Sequence, residues 1–277
     1  MLTAVGSFLA ARAVGGRWRV RVEDIDTPRV VPGAADAILR SLEAHGLHWD
    51  GDVLWQSRRQ DAYRAALEHL RRVGLVYPCA CTRRELAAVA CAGVDGPVYP
   101  GTCRAGLPPG RSARAWRLYV ADTRIEFHDA IRGAQTQNLA TAVGDFVLRR
   151  ADGLIAYQLA VVVDDAFQGV TQVVRGIDLL TSTARQIYLQ QCLDLPRPDY
   201  AHLPLLVDAH GRKLGKQTGA RALDPAHASD NLRRVLTCLG LSPPAPLHGA
   251  PPQTLLQWAV TRWNPAAMTG MNVCRVP

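Results

Sequence analysis

WRVRVEDIDTPR, residues 18–29, decides how the rest of the chain is read. Trp18, Val20 and Val22 alternate with Arg19 and Arg21, the period of a half-buried strand. The strand ends in Glu23, Asp24 and Asp26, and Pro28 follows at once. In open α/β sheets, ligands bind at the carboxyl ends of strands, so acids delivered there are candidates for a site. Upstream, Leu2–Ala13 predicts a helix with Val5, Phe8 and Leu9 on one side, stopped by Gly15-Gly16. Downstream, Pro32-Gly33 starts a helix with Ile38, Leu39 and Leu42 spaced for burial. Ser57-Arg-Arg-Gln60 predicts a capping box for the next, carrying Tyr63, Leu67 and Leu70. A strand followed by helices and long connections predicts an α/β fold with a parallel sheet and crossovers.

Residues 75–110 break the pattern. They hold Cys79, Cys81, Cys91 and Cys103 among several Gly and Pro, and Thr82-x-x-Glu85 predicts a capped short helix. Zinc takes four thiolate, imidazole or carboxylate ligands in a tetrahedron. Spacing alone selects the four cysteines, with Tyr99 and Asp95 as the other nearby donors. The remaining cysteines, 192, 238 and 274, stand alone. Clustering points to metal rather than to a disulfide framework, and to a reducing cytoplasm. Beyond the insertion, Trp116–Val120 and Arg124–Phe127 alternate as strands. Phe146–Arg150 and Leu154–Val163 predict a hairpin about Asp152-Gly153, with Leu159–Val163 as a buried central strand. Thr181–Leu193 and Thr254–Trp263 predict helices, and Ser242–Pro252 a Pro-rich linker.

Composition bounds the function. The chain has 277 residues, 48% of them hydrophobic, enough for a proper core. Its formal charge of +8 suits a polyanionic partner such as nucleic acid. No apolar run reaches the ~18–20 residues of a membrane span, and no charge precedes Arg12 as a signal peptide would require. No membrane partner is expected. Of the 32 basic residues only Lys213 and Lys216 are lysines, and they share the run KLGKQ, 213–217. An ammonium is a compact point charge that can follow a moving phosphate, where guanidinium is a planar clamp. That placement suits charge stabilisation in phosphoryl or adenylyl transfer. Glu23, Asp24 and Asp26 could take an ammonium or Mg²⁺, or simply cap helices and pair with Arg21 and Arg29. Arg175, read as buried, needs an anionic partner: a substrate carboxylate, or Asp164, Asp165 or Asp178.

Together, RVEDIDTPR at 21–29, the CAC…YPGTC pair, YQLAVVVDDAFQGVTQVVRGIDL at 157–179 and HLPLLVDAHGRKLGKQ at 202–217 resemble the catalytic half of class I glutamyl-tRNA synthetases. They resemble most the short paralogous family that modifies tRNA(Asp). The resemblance spans roughly residues 1 to 225. It implies a Rossmann-type parallel sheet in two parts, 1–74 and 111–190. It also implies a zinc-binding insertion at 75–110 and a C-terminal helical, stem-contact-like region at 191–277. It implies activation of L-glutamate by ATP, with Mg²⁺, and transfer to the queuosine of tRNA(Asp) by a cytoplasmic monomer. Glu23, Tyr157 and Arg175 match its glutamate-binding positions. KLGKQ matches its KMSKS-type loop, with Lys213 and Lys216 catalytic and Lys216 at ATP. The family's zinc pattern falls on Cys79, Cys81, Tyr99 and Cys103, not on Cys91. KLGKQ departs from the family only at its middle Ser, here Gly215. The family also opens on a HIGH-type motif that this sequence lacks, so a misassigned start is expected. An ATP-dependent ligase, a zinc-containing tRNA-binding remnant and an enzyme charging an ordinary 3′ end all remain open at this point.

Overall fold

The computed structural model describes residues 1–215 and 223–275. Helix α1 (Leu2–Ala13) buries Val5, Phe8 and Leu9, as its spacing predicts. β1 (Arg21–Val22) is shorter than the expected strand. It pairs in parallel with β2 (Leu54–Trp55) after the crossover helix α2 (Ala34–Ala44). On α2 only Leu42 is buried, and Ile38 faces solvent. Next, α3 (Gln60–Arg72) buries Tyr63 and Leu70 completely. The Ser57 box does not form. Ser57 Oγ donates instead to Asp24 Oδ2 at 2.7 Å, and Arg59 stands at the cap position.

The insertion comprises β3 (Val76–Cys79), α4 (Arg83–Val89) and a hairpin of β4 (Ala92–Gly93) and β5 (Gly96–Pro97). Here the Thr82–Glu85 capping box is present in both directions. β6 (Ala115–Leu118), β7 (Arg124–Asp129), β8 (Gly133–Asn138), α5 (Leu139–Ala142) and β9 (Val147–Arg149) follow. β3, β6 and β9 form an antiparallel sheet.

The largest departure lies at 154–167. The turn is as expected: Gly153 has φ 86°, and the Arg150 amide donates to the Leu154 carbonyl at 2.8 Å. The returning strand, however, ends in a single bridge at Ile155. The apolar run is helix α6 (Tyr157–Phe167), not a central strand. Leu159, Ala160, Val161 and Val162 are all buried, so the run shows no alternation of faces. Such a run reads alike as buried strand or buried helix. Tyr157 therefore opens a helix and does not lie on a strand.

β10 (Gln172–Gly176), α7 (Leu180–Cys192) and β11 (Asp199–Leu203) make a parallel crossover unit. β11 pairs in parallel with β7, and β7 antiparallel with β8, giving the order β10-β11-β7-β8. The parallel pairing expected of one sheet is thus distributed over several. β12 (Leu205–Val207) runs into the Asp208–Lys213 turn. α8 (Ala228–Cys238), α9 (Pro252–Val260) and β13 (Val273–Arg275) complete the described chain. β13 pairs with β12, and Cys274 forms a disulfide with Cys238 at the end of α8. The two cysteines read as solitary are brought together because β13 folds back beside α8. Cysteine usage therefore no longer argues for a reducing compartment. No helix among the described residues is long and apolar enough to cross a membrane.

Two cores result. One joins α3, α6 and α7 to the strands β6, β7 and β9. The other joins α1, α8 and α9. Asp164, fully buried on α6, ties the first core together. It accepts from Gln56 Nε2 at 2.9 Å, Arg59 Nε at 2.6 Å and Tyr63 Oη at 2.6 Å. Burial, then the neighbouring carboxylate, pushes the Tyr63 hydroxyl well above its usual range, so it stays a donor. Replacing Asp164 with Ala would strand the Arg59 charge and this hydroxyl. The expected loss is about 3–5 kcal/mol of stability, measured as a shift of the urea midpoint.

Candidate active site

The three acids at the end of β1 divide their work. Asp24 accepts from the Ser57 amide and hydroxyl, both at 2.7 Å. Asp26 binds Arg29 and Arg150. Both are occupied in holding the loop. Glu23 alone keeps its carboxylate toward open space, with Arg21 no closer than 3.4 Å and 40% of its side chain accessible. Desolvation raises the Glu23 carboxyl, Arg21 only partly opposes this, and the charges of Asp165 and Asp164 add to the rise. Arg21 faces both sides: Nε and Nη2 lie 3.4 Å from Glu23 Oε1, while Nη1 donates to Asp165 at 2.8 Å and Gln168 at 3.0 Å.

Tyr157 sits at the first turn of α6. Burial raises its hydroxyl, and the charges of Glu23 and Arg175 both act on it, in opposite senses. The three residues matched to glutamate binding therefore share one electrostatic neighbourhood. A cavity of about 520 Å³ adjoins it, with Arg21, Glu23 and Asp165 in its wall. Trp18 and Arg19, just before β1, and Gln172–Val174 of β10 line the same cavity.

Arg175 is buried, as expected, but none of the expected carboxylates holds it. Nε donates to His202 Nε2 at 3.0 Å, Nη1 to Gln186 Oε1 at 2.7 Å, and Nη2 to Thr183 Oγ1 at 2.8 Å and the Leu179 carbonyl at 3.3 Å. Asp164 serves α3, Asp165 serves Arg21, and Asp178 binds Lys213 at 2.5 Å. Among the described residues, four of the five guanidinium N–H groups are committed to uncharged partners, leaving one on Nη1. A buried cation with neutral contacts favours an anionic ligand. His202, Thr183 and Gln186 were not foreseen. No local pattern singles them out: α7 carries Thr, Ser, Arg and Gln along its whole length, and β11 opens on Asp199.

Lys213 is tied by Asp178 to the turn that follows Arg175. A Cβ on Gly176 would lie 2.4 Å from Asp178 Oδ1, so glycine is what lets Asp178 fold back toward that lysine. Lys216 lies outside the described residues.

In the insertion, the sulfur atoms of Cys79, Cys81 and Cys103 lie within 4.8 Å of one another. Cys81 and Cys103 are 3.7 Å apart, against about 3.8 Å for two thiolates on a tetrahedral zinc with 2.3 Å bonds. Tyr99 Oη stands 3.4 Å from Cys79 and 3.6 Å from Cys81. Its oxygen also accepts from the Cys103 amide at 3.0 Å. Three thiols and a phenol thus converge, a donor set that could hold a metal. Cys91 is exposed and lies outside the cluster, contrary to the spacing argument. Asp95 also lies elsewhere, bound to Thr181 and Arg185 of the catalytic core.

The family described as tRNA synthetases class I (E and Q), catalytic domain, matches residues 2–96 and 112–241. The chain belongs to this family. It is a ligase of that class, in the branch of the glutamyl-Q tRNA(Asp) synthetases. It is 57% identical to the glutamyl-Q tRNA(Asp) synthetase of Thiobacillus denitrificans, covering 95% of this chain and 88% of that one. It is 58% identical to that of Aromatoleum aromaticum, over 95% and 84%. A glutamate-tRNA synthetase structure from Elizabethkingia anophelis superposes with a TM-score of 0.79 at 24% identity. It covers all of this chain and 64% of that one, and shows the fold. A glutamate tRNA ligase from Elizabethkingia meningosepticum gives 0.67 at 28% identity, over 79% of this chain and 49% of that one. The chain thus spans only about half to two thirds of these solved structures.

The metal donors make a direct prediction. Cobalt(II) added to the apoprotein should give a thiolate charge-transfer absorption. Cys103→Ser should abolish or strongly weaken it, and Cys91→Ser should leave it intact.

Proposed function

We propose that the chain activates L-glutamate with ATP and Mg²⁺ and passes the glutamyl group to queuosine in the anticodon of tRNA(Asp). A carboxylate oxygen of glutamate attacks the α-phosphorus of ATP, and the bond to pyrophosphate breaks. A hydroxyl oxygen of queuosine then attacks the carbonyl carbon of the glutamyl-adenylate, losing its proton, and the bond to AMP breaks. One observation carries the reading: an accessible acid, a tyrosine and a buried arginine with neutral contacts share one neighbourhood beside a cavity. The names of the similar proteins support it.

In this reading Glu23 receives the α-ammonium, Arg175 a carboxylate, and the Tyr157 hydroxyl orients the substrate between them. Lys213 and Lys216 stabilise the charge that grows on the phosphates. Asp178 holds Lys213, and so roots that loop at the Arg175 turn. Residues 1–74 and 111–190 form the catalytic domain, and 191–277 the stem-contact region. Residues 75–110 are a zinc-binding insertion. Cys79, Cys81, Tyr99 and Cys103 would hold the zinc, whose chemistry here is structural cross-linking of a Gly-rich segment.

Two experiments test the reading. Lys216→Ala should lower glutamate-dependent pyrophosphate exchange strongly while the thermal unfolding curve is kept. Unchanged exchange would remove the lysine from the mechanism. Glu23 must be ionised to hold an ammonium, and its carboxyl is raised. Glutamate affinity should therefore weaken as pH falls from 7 toward 5, and Glu23→Gln should bind weakly without that slope. Titration calorimetry across this range measures both.

A further inference from the structure

The orientation of Arg175 depends on one ring nitrogen. Its Nε donates to His202 Nε2 at 3.0 Å, and a guanidinium can only donate. That nitrogen must therefore carry a lone pair. Thr183 Oγ1, which accepts from Arg175 Nη2 at 2.8 Å, lies 3.2 Å from the same Nε2 and 3.5 Å from the Leu179 carbonyl, two acceptors for its single proton. The ring proton must then sit on Nδ1, and Asp129 Oδ2 is 2.5 Å from it. Asp129 is itself fixed. Its Oδ1 accepts from the amides of Ile131 at 3.0 Å, Arg132 at 2.9 Å and His202 at 3.2 Å.

The sheet builds this line. Arg175 on β10 is the direct register partner of His202 on β11, and Asp129 ends β7 beside Tyr200. Both Asp129 and His202 are fully buried. Burial lowers the His202 pKa more than Asp129 restores it, and the Arg175 charge lowers it further, in keeping with a neutral ring. The Asp129 carboxyl is held low, because its hydrogen bonds outweigh its burial.

We propose that Asp129 and His202 are positioning residues of the substrate site. By locking the neutral Nδ1–H tautomer they keep His202 Nε2 an acceptor and hold Arg175 with its one uncommitted Nη1–H available to the substrate carboxylate. The proposal rests on the reading of Arg175 as the carboxylate binder.

The test joins histidine ¹⁵N NMR to calorimetric titration with L-glutamate, on the full chain. Wild-type His202 should show the Nδ1–H neutral signature. In Asp129→Asn the amide can turn its NH₂ toward Nδ1. The ring proton then moves to Nε2, donor against donor with Arg175, and glutamate Kd should rise roughly tenfold or more. His202→Gln, which can offer an oxygen to Arg175, should bind markedly better than His202→Leu. That pair decides the matter if Asp129→Asn does not fold. A wild-type Nε2–H ring, or His202→Leu and Asp129→Asn binding glutamate within about twofold of wild type, would overturn the proposal. Arg175→Ala separates the two levels. Unchanged affinity in that variant, or a wild type that binds no glutamate, would sink the reading of Arg175 and the proposal with it. Lost affinity there, alongside normal binding by the His202 and Asp129 variants, would sink the proposal alone.

Discussion

Two consecutive carboxylates on one helix organise this molecule. Neighbouring residues on a helix point about 100° apart, so Asp164 and Asp165 face different walls. Asp164 turns into the core and gathers Gln56, Arg59 and Tyr63. Asp165 turns to the strand that ends in Glu23 and takes Arg21. One helix thereby fixes both the packing of α3 and the lateral position of β1. It also sets Tyr157 at its own first turn, where the charges of Glu23 and Arg175 both act on it. The site inherits its rigidity from a core that has no chemistry of its own.

The remaining charges follow a hierarchy of burial. Pairs such as Arg64–Asp61 and Arg71–Glu68 lie on an open helix face, where such contacts contribute little. Arg104–Asp145 and Arg59–Asp164 each set a fully buried acid against a guanidinium. Arg175 differs from both groups, because its direct contacts carry no negative charge. The carboxylate of Asp129 meets it only through the ring of His202. An arrangement of this kind is costly in an apolar core, and such costs are retained where a site needs an unspent cation.

The sequence was legible where local chemistry decides. The α1 spacing, the Thr82–Glu85 cap and the Asp152-Gly153 turn each rest on a few neighbouring residues, and each is found. It was misleading where a residue's partner lies far along the chain. Ser57 could cap its own helix, but Asp24 competes for it from 33 residues away. Leu154–Val163 lacks the polar punctuation that separates a buried helix from a buried strand. Arg175 was recognised as buried, yet its partners stand on α7 and β11 and are not acids. Cys91 fits the donor pattern by spacing, and only the path of the insertion takes it away from the other three thiols. The resemblance of the motifs carried Tyr99 where spacing did not, and the phenol does lie beside the thiols.

The Cys238–Cys274 bond spans 36 residues, enclosing α9 and the Pro-rich stretch before it. That segment folds on a modest apolar face and a two-stranded sheet. Closing a ring of this length restricts the unfolded chain by roughly 4 kcal/mol in the chain-entropy picture. The end of the molecule thus holds its place partly because its disordered alternatives are fewer. The root of the lysine loop, β12, rests against a strand steadied by the poverty of its unfolded state.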